Sequence, residues 1–235
     1  MTCRGFFLQK RQNILSLSPL SITISMKQEI DINKWNRKET FELFKNYADP
    51  YCGVTVNMDF THVYNAAKRN GASFYLYYLH VIMQAVNNYD PIRLRIINGK
   101  VYLYDRIGVS PTVGREDGTF CFCYYPYYED REQFVAECQR ITQEVKSQPI
   151  THEEFTEEVR SSIFFSAIPW IQYTSVKNPL NLDPNDSNPR ISTGRLFDQD
   201  GRKIMPFSVL VHHSLMDGFH IAQFLQKIEE LNKNY

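Results

Sequence analysis

The residues with the clearest chemical potential are two adjacent histidines near the C-terminal end, His212 and His213. They follow the apolar run 209–211, which is typical of a buried strand, and a carboxylate, Asp217, comes four residues after His213. An imidazole titrates near neutral pH, so it can take a proton from a hydroxyl if its tautomer and ring orientation are held. A strand end followed by a tight Asp-Gly turn supplies that rigidity. The sequence therefore predicts a general base at this position.

Other interpretations of the same residues stay open. A histidine at the end of a strand is most often structural, and two adjacent residues of a strand point to opposite faces, so at most one of the pair is expected to react. His213, Asp217 and His220 could also bind a metal ion. No fourth ligand and no H-E-x-x-H pattern accompany them, so the metal site is the weaker interpretation.

Strands and helices alternate along the chain and would hold these residues in one α+β domain. The run 52–60 alternates as a strand does, the run 74–88 is apolar almost all round and indicates a central helix, and 163–176 predicts a strand interrupted by Pro169. The other predicted elements are hairpin turns at Asn98-Gly99 and Asp200-Gly201, a turn at 117–118 before a strand over 120–125, helices over 61–71, 129–147 and about 221–231, a loop over 177–190 and a strand over 204–212.

Composition excludes several classes of function. The chain has 235 residues with 26 basic and 26 acidic side chains, so neither nucleic acid nor a membrane surface is indicated as a partner. No apolar run reaches the roughly 18 residues that a membrane span needs. The 5 cysteines contain no C-x-x-C pair, so they indicate neither a disulfide framework nor a zinc ribbon. A reducing cytoplasm fits this cysteine usage.

The first 25 residues are expected to lie apart from the folded domain. A few basic residues precede a short apolar stretch that serines and Pro19 interrupt, and no small-residue cleavage site follows. Met26 begins a plausible second start. We expect a disordered leader or a mis-set start codon over 1–25, with an export signal as the weaker alternative, and a single domain over 26–235.

The segment H-H-S-L-M-D-G-F-H at 212–220 resembles the C-terminal signature of the chloramphenicol acetyltransferase family, which has the pattern H-x-x-x-D-G. Dihydrolipoyl acyltransferases and plant acyltransferases share that pattern. Further segments follow the order of the chloramphenicol acetyltransferases, namely those at 35–41, 52–53, 84–87, 118–120, 169–175 and 205–207. The resemblance covers about 27–231. It implies a two-layer α+β sandwich of the CoA-dependent acyltransferase fold, with helices on a mixed sheet and an active site between the subunits of a homotrimer.

The resemblance also implies roles for four residues. His213 is the general base that takes the proton of an acceptor hydroxyl as it attacks the thioester carbonyl of acetyl-CoA. Ser175 matches the hydroxyl that donates to the oxyanion, and Asp217 matches a structural aspartate that pairs with Arg37. Acetyl-CoA is then a cosubstrate that enters opposite the acceptor, no cofactor stays bound and no metal is required.

The resemblance further implies an acceptor site formed by Leu43, Phe44, Cys52, Phe120, Phe122 and Ser192. Phe44 stands where relatives often carry Tyr, Phe122 where a small Ala is usual, and Ser192 where Thr is usual. Losing a hydrogen bond to a buried hydroxyl costs about 1–3 kcal/mol, and a steric clash can cost more. The expected function is O-acetylation of a small hydroxyl acceptor, with chloramphenicol as the first candidate. Another small hydroxyl compound, or a non-catalytic trimer that binds CoA or a ligand, is the alternative.

Overall fold

A computed structural model describes residues 25–146, 156–180, 183 and 185–235. In this part of the chain the strands are β1 (Lys27–Glu29), β2 (Tyr51–Asp59), β3 (Leu94–Ile97), β4 (Lys100–Tyr104), β5 (Gly108–Gly114), β6 (Phe120–Phe122), β7 (Ser162–Ala167), β8 (Arg190–Thr193), β9 (Phe197–Gln199) and β10 (Arg202–His212). The helices are α1 (Lys38–Phe44), α2 (Thr61–Arg69), α3 (Phe74–Asn87), α4 (Arg131–Lys146), α5 (Glu157–Arg160) and α6 (Gly218–Asn232), with a 3₁₀ turn at Asp90–Arg93.

The strands form two sheets. The larger has the order β2-β10-β8-β7-β5-β6, with β9 paired to β10, and the smaller has the order β1-β4-β3. The β5–β7 and β7–β8 pairs are parallel, whereas the β2–β10, β8–β10 and β5–β6 pairs are antiparallel. The larger sheet is therefore mixed, as the α+β prediction requires.

Strand β10 organises the larger sheet because it pairs with β2 on one side and with β8 on the other. Its residues Met205, Phe207, Val209 and Val211 are buried and share one core with the apolar faces of α3 and α6. Alternation along the strand places these residues on the helix-covered face. The intervening residues, including Ser208 and His212, lie on the opposite face. The pairing ends with His212 opposite Tyr51, which puts the two histidines beside the start of β2.

Helix α3 is the central helix, as its sequence predicts. Nine of its ten buried residues are apolar or aromatic, the tenth being His80, and the helix contacts α2, α4 and α6. The side chain of Ser73 accepts a hydrogen bond from Leu76 N and caps its first turn. A helix surrounded in this way anchors the sheet from one side.

Both predicted hairpin turns are confirmed. Asn98 and Gly99 have φ values of 50° and 75°, and Asp200 and Gly201 have values of 51° and 77°. Two consecutive residues with positive φ define the type I′ turn that matches the twist of a β-hairpin. These turns set the registers of β3 with β4 and of β9 with β10.

The predicted strand over 163–176 is wrong beyond Ala167, where β7 ends. Ile168 N still donates to Thr193 O, but Pro169 has no N–H to donate and the chain leaves the sheet there. Strand β8 begins at Arg190, the last residue of the predicted loop, and it was missed because the prolines and asparagines before it mask its short apolar signal. Apart from Ser25, the predicted leader lies outside the described residues. No helix of the described ranges is long and apolar enough to cross a bilayer.

A buried ion pair fixes the start of β8. Arg190 Nη2 lies 2.5 Å from Asp186 Oδ2, and the two side chains are 5% and 1% exposed. The hydroxyl of Tyr51 donates to the carbonyl of Asp186, which ties the start of β2 to the same pair. The pair therefore joins the segment before β8 to the start of β2 beside the histidines.

We predict that Asp186→Ala lowers the free energy of unfolding by about 3–5 kcal/mol, because it leaves the buried Arg190 charge without its partner. The matched control is Asp198→Ala, which breaks a pair with Lys203 in which Asp198 is 70% exposed. The control should cost at most about 1 kcal/mol. Urea unfolding of both variants measures the difference, and equal losses would contradict a structural role for the buried pair.

Candidate active site

His213 is the first residue after β10 and lies in the turn that joins this strand to α6. Its N–H donates to Pro50 O at 2.8 Å, so the backbone is fixed to the segment before β2. The ring is half-buried, and the Phe44 ring packs against it with centroids 4.2 Å apart. The imidazole is thus held on one side and open on the other.

The surroundings of the His213 ring select one tautomer. Nδ1 lies 3.1 Å from Met216 O and 3.4 Å from Cys52 Sγ. A carbonyl oxygen only accepts, so Nδ1 must carry a hydrogen, and in the neutral ring the lone pair is then on Nε2. Burial, followed by the Asp217 charge, raises the pKa of the Cys52 thiol, which keeps it neutral beside the ring. The arrangement leaves Nε2 of His213 available as a base.

His212 differs from its neighbour in burial and in charge. It is 4% exposed, its Nδ1 accepts from Ser214 N, and its ring meets the Tyr51 ring edge-on. Burial, and to a smaller extent the neighbouring His213, lowers the pKa of His212 to about 4. His212 is therefore a neutral packing residue, and only one of the two histidines faces the open side.

Arg37 and Asp217 are in direct contact, although 180 positions separate them in the sequence. Arg37 Nη1 lies 2.6 Å from Asp217 Oδ2, and Arg37 Nη2 donates to the carbonyl of His213 at 3.2 Å. The Arg37 side chain is 12% exposed and that of Asp217 is 30% exposed. One guanidinium therefore fixes both the carboxylate of the turn and the backbone of the histidine.

The second oxygen of Asp217 caps α6. Oδ1 accepts from Phe219 N at 3.1 Å and from the His220 ring Nδ1 at 2.7 Å. Burial favours the neutral acid, but the hydrogen bonds from Arg37 and His220 outweigh it and hold the pKa of Asp217 well below its usual range. Sequence reasoning considered His220 only as a metal ligand; its three-residue spacing from the cap was the signal for this contact.

No cluster of three or more His, Cys, Asp or Glu side chains in the described ranges is arranged to hold a metal ion. Nδ1 of His213 already donates to Met216 O, and Asp217 is occupied by Arg37 and His220. The three residues of the weaker metal interpretation thus have other partners.

Ser175 lies in a different part of the molecule from His213. It is exposed in the irregular segment after β7, and it lines a pocket. The other lining residues of that pocket are Gly53, Val54, Thr55, Thr174, Val176, Asn178, Arg190, Ser208, Val209 and Leu210. Ser192 is buried nearby and accepts a hydrogen bond from Asn178 Nδ2 at 3.1 Å. Ser192 therefore contacts Asn178, which lines the same pocket as Ser175.

The surroundings of His213 and the Ser175 pocket both include residues of β2, but they lie on opposite faces of the sheet. Cys52, which contacts His213, pairs with the core residue Val211 and lies on the helix-covered face. Thr55, which lines the Ser175 pocket, pairs with Ser208 on the other face, since three positions along a strand reverse the side. Within the described residues no hydrogen bond joins Ser175 to His213. One chain therefore brings Arg37, Asp217 and His213 together and leaves Ser175 apart.

The predicted acceptor residues are divided in the same way. Phe44 and Cys52 contact the His213 ring, while Leu43 is 58% exposed on α1. Phe120 and Phe122 lie on β6 at the far edge of the larger sheet, 50% and 43% exposed, with ring centroids 5.5 Å apart. The buried Cys121 and Cys123 alternate with them, so both phenylalanines face away from the core of their own chain.

Comparisons with known proteins agree on one family. A family model described as chloramphenicol acetyltransferase matches residues 26–229. A chloramphenicol acetyltransferase from Proteus mirabilis is 28% identical over 204 residues, which are 86% of this chain and 92% of that protein. A solved chloramphenicol acetyltransferase structure is 30% identical, has a TM-score of 0.78, and the alignment covers 88% of this chain and 99% of that one.

A more distant structure supports the fold alone. A probable dihydrolipoamide acetyltransferase from Listeria monocytogenes has a TM-score of 0.61 at 13% identity, and the alignment covers 84% of this chain and 89% of that one. The prediction of a CoA-dependent acyltransferase fold, with a mixed sheet packed by helices, is confirmed.

We predict that Asp217→Asn destabilises the protein at pH 7 and that this loss shrinks in acid. The depressed pKa of Asp217 means that its charged form stabilises the fold fully above the ordinary aspartate pKa of about 3.9, and that this stabilisation is lost as the pH falls towards the folded value. Urea unfolding of wild type and variant at pH 7 and pH 3, at one protein concentration, measures the two differences.

The control for this prediction is Asp31→Asn, whose partner Lys34 is 3.5 Å away with both side chains exposed. It should change the unfolding free energy little at either pH. If the Asp217→Asn loss were the same at pH 7 and pH 3, the charge of Asp217 would not be what stabilises the turn.

Proposed function

We propose that this chain, which belongs to the chloramphenicol acetyltransferase family, transfers an acetyl group from acetyl-CoA to a hydroxyl of chloramphenicol with His213 as the general base. The observation that carries the proposal is the contact of His213 Nδ1 with Met216 O at 3.1 Å, because it places the lone pair of the neutral ring on Nε2. The names of the relatives support chloramphenicol as the acceptor and acetyl as the transferred group. Acetyl-CoA is the donor that the family resemblance implies.

The first step is attack on the thioester. Nε2 of His213 takes the proton of the acceptor hydroxyl, and its oxygen forms a bond to the carbonyl carbon of acetyl-CoA. The carbonyl oxygen becomes an oxyanion in a tetrahedral intermediate. The imidazolium that forms keeps its Nδ1 hydrogen bond to Met216 O, so the ring does not turn during the proton transfer.

The second step is collapse of the intermediate. The bond from carbon to sulfur breaks, and the proton on Nε2 passes to the leaving CoA thiolate. The hydroxyl of Ser175 would donate to the oxyanion while it exists, and such a donor is typically worth about 10²–10³ in turnover. Ser175 suits that role because it is exposed and lines a pocket rather than packing in the core.

Arg37 and Asp217 would act on the base rather than on the substrate. Arg37 bonds both the Asp217 carboxylate and the His213 carbonyl, so it resists rotation of the turn. Asp217 caps α6 with its other oxygen. A base held in this way reaches its productive position without further ordering, which lowers the entropic part of the barrier.

A complete site would need a second copy of the chain. His213 and the Ser175 pocket lie on opposite faces of the sheet at β2, so one copy does not bring the base to the donor. Strand β2 is an edge strand with Val54 40% exposed, and the two exposed phenylalanines of β6 also face outward. These features support the homotrimer that the family resemblance implies, with His213 from one subunit and Ser175 from its neighbour.

The acceptor pocket would combine Phe44 and Cys52, which contact His213, with Phe120 and Phe122 of a neighbouring subunit. Leu43 and Ser192 would complete it. The cosubstrate is acetyl-CoA, and a reaction that consumes it would place the protein in the cytoplasm, as the cysteine usage predicts. None of these steps calls on a metal ion.

We predict that His213→Ala reduces chloramphenicol-dependent release of CoA thiol by at least about 10²-fold, because general-base catalysis contributes about 10²–10⁴-fold. The affinity for CoA should stay close to that of the wild type. Thiol release with and without chloramphenicol measures the first quantity, and calorimetric titration with CoA measures the second. The matched control is His62→Ala on an exposed site of α2, which should leave both unchanged.

Three results would separate the alternatives. Wild-type release that needs chloramphenicol supports both the reaction and the acceptor. Thiol release that occurs only with a different hydroxyl compound would mean that chloramphenicol is not the acceptor, while His213 would still be the general base. Unchanged release in His213→Ala would overturn the mechanism.

We predict that two inactive variants restore activity when they share an oligomer. In a trimer that contains both His213→Ala and Ser175→Ala chains, about one of the three sites would hold both wild-type residues. Differently tagged variants are co-expressed, the mixed oligomers are isolated through both tags, and thiol release is measured. Activity no higher than that of the two separate variants would contradict a site shared between subunits.

A further inference from the structure

Four hydroxyl side chains form a row across the larger sheet. Thr55 on β2 pairs with Ser208 on β10, Ser208 pairs with Ser192 on β8, and Ser192 pairs with Ser166 on β7. Directly opposed residues of neighbouring strands point to the same face. We call these four residues the hydroxyl row. It crosses the face that holds the Ser175 pocket, and Thr55 and Ser208 line that pocket.

The segment that carries Ser175 has little support of its own. Ile171 O accepts from Arg195 N at 2.8 Å, but from 172 to 178 the backbone makes no backbone–backbone hydrogen bond within the described part of the chain. Ser175 is exposed in the middle of this stretch. A backbone without such bonds opens locally more easily, so contacts of its side chains matter more to its position.

Two side-chain hydrogen bonds join this segment to the hydroxyl row, one on each side of Ser175. Ser208 Oγ lies 3.4 Å from the Tyr173 hydroxyl, and Asn178 Nδ2 donates to Ser192 Oγ at 3.1 Å. Ser208 Oγ is itself 2.7 Å from Thr55 Oγ1, so the row continues to the edge strand. The hydrogen bond between Ser208 and Tyr173 is long, but the Tyr173 ring also packs against the sheet beside Gly194.

The Tyr173 ring occupies space that a glycine leaves open. A Cβ added at Gly194 would come within 3.0 Å of Tyr173 Cε1 and 2.9 Å of Pro206 Cγ. Pro206 lies two residues before Ser208, on the same face of β10. The ring therefore packs beside the hydroxyl row, and burial raises the pKa of the Tyr173 phenol, which keeps it protonated.

We infer that Tyr173 and Asn178 are positioning residues that hold the Ser175 hydroxyl at a fixed place above the hydroxyl row. The inference rests on the proposed function, since it assumes that Ser175 donates to the oxyanion. Tyr173 acts through Ser208, and Asn178 acts through Ser192. Neither touches the substrate. They limit how far Ser175 can move while charge develops on the intermediate, where a preorganised donor is most effective.

The test compares Tyr173→Phe in two backgrounds. In the wild type, loss of the phenol hydroxyl should lower kcat about three- to tenfold and leave KM nearly unchanged, because a loosened donor loses part of the value of a fixed one. In a Ser175→Ala background the same change should have no further effect. Ser208→Ala, made in the wild-type background, should cause the same loss of kcat as Tyr173→Phe, since it removes the other partner of the hydrogen bond between Ser208 and Tyr173. The matched control is Tyr102→Phe, which removes an exposed hydroxyl bonded to Glu29 at 3.3 Å.

Hydrogen–deuterium exchange gives a second readout that does not depend on activity. Tyr173→Phe and Ser208→Ala should speed exchange in the peptide spanning 171–178, while the thermal unfolding midpoint changes little. Unchanged exchange would overturn the inference, and so would an equal loss of kcat in both backgrounds. If Ser175→Ala kept the wild-type rate, Ser175 would not be the donor and the positioning role would fall with it. Lack of acetyl transfer by the wild type would instead overturn the proposed function, and the exchange measurement would still decide whether the row holds the segment.

Discussion

The contact between Arg37 and Asp217 is the interaction on which the candidate active site depends. It joins the residue before α1 to the turn between β10 and α6, across 180 positions of sequence. The same guanidinium bonds the His213 carbonyl, and the same carboxylate caps α6 and accepts from His220. Each of these groups would be poorly satisfied without the others, because a half-buried charge is costly when its partner is missing. The turn is rigid for this reason, and the Met216 carbonyl can therefore hold the histidine ring in one tautomer.

The sheet adds a second constraint. Nine paired positions fix β2 against β10, from Tyr51 opposite His212 to Asp59 opposite Ile204. This register assigns each residue of β2 to one face, with Cys52 beside the base and Thr55 beside the Ser175 pocket. The two sets of chemical groups are consequently built on opposite sides of one edge strand. The proposed function therefore needs an oligomer. The β2 edge of a second subunit, packed against the first, would bring the His213 of one subunit to the Ser175 pocket of the other.

Much of the frame could be predicted from the sequence because it follows from local rules. The apolar run before His212 predicted β10, the Asn-Gly and Asp-Gly pairs predicted two hairpin turns, and the all-round apolar pattern of 74–88 predicted a central helix. The contact between Arg37 and Asp217 could be expected only through the family resemblance, since no local pattern links residues so far apart. The carbonyl of Met216 gave no signal at all, because every residue carries the same backbone oxygen. The hydroxyl row was hidden for a related reason: its members come from four strands, and their alignment depends on a register that composition does not reveal. The strand predicted through 176 failed at Pro169, where a missing donor ends the ladder.

The measurement that tests the account most directly is the tautomer of His213 in the free protein. The account requires a neutral ring with hydrogen on Nδ1, held by Met216 O, and a bare Nε2. Nitrogen-15 NMR of histidine-labelled protein distinguishes the two ring nitrogens, and a His213→Gln sample identifies the signals of this residue among the 6 histidines. The account predicts a protonated Nδ1 and an unprotonated Nε2 in the neutral ring. A hydrogen on Nε2, or rapid exchange between the two tautomers, would contradict it, because the nitrogen that must accept the proton would then be occupied or unfixed.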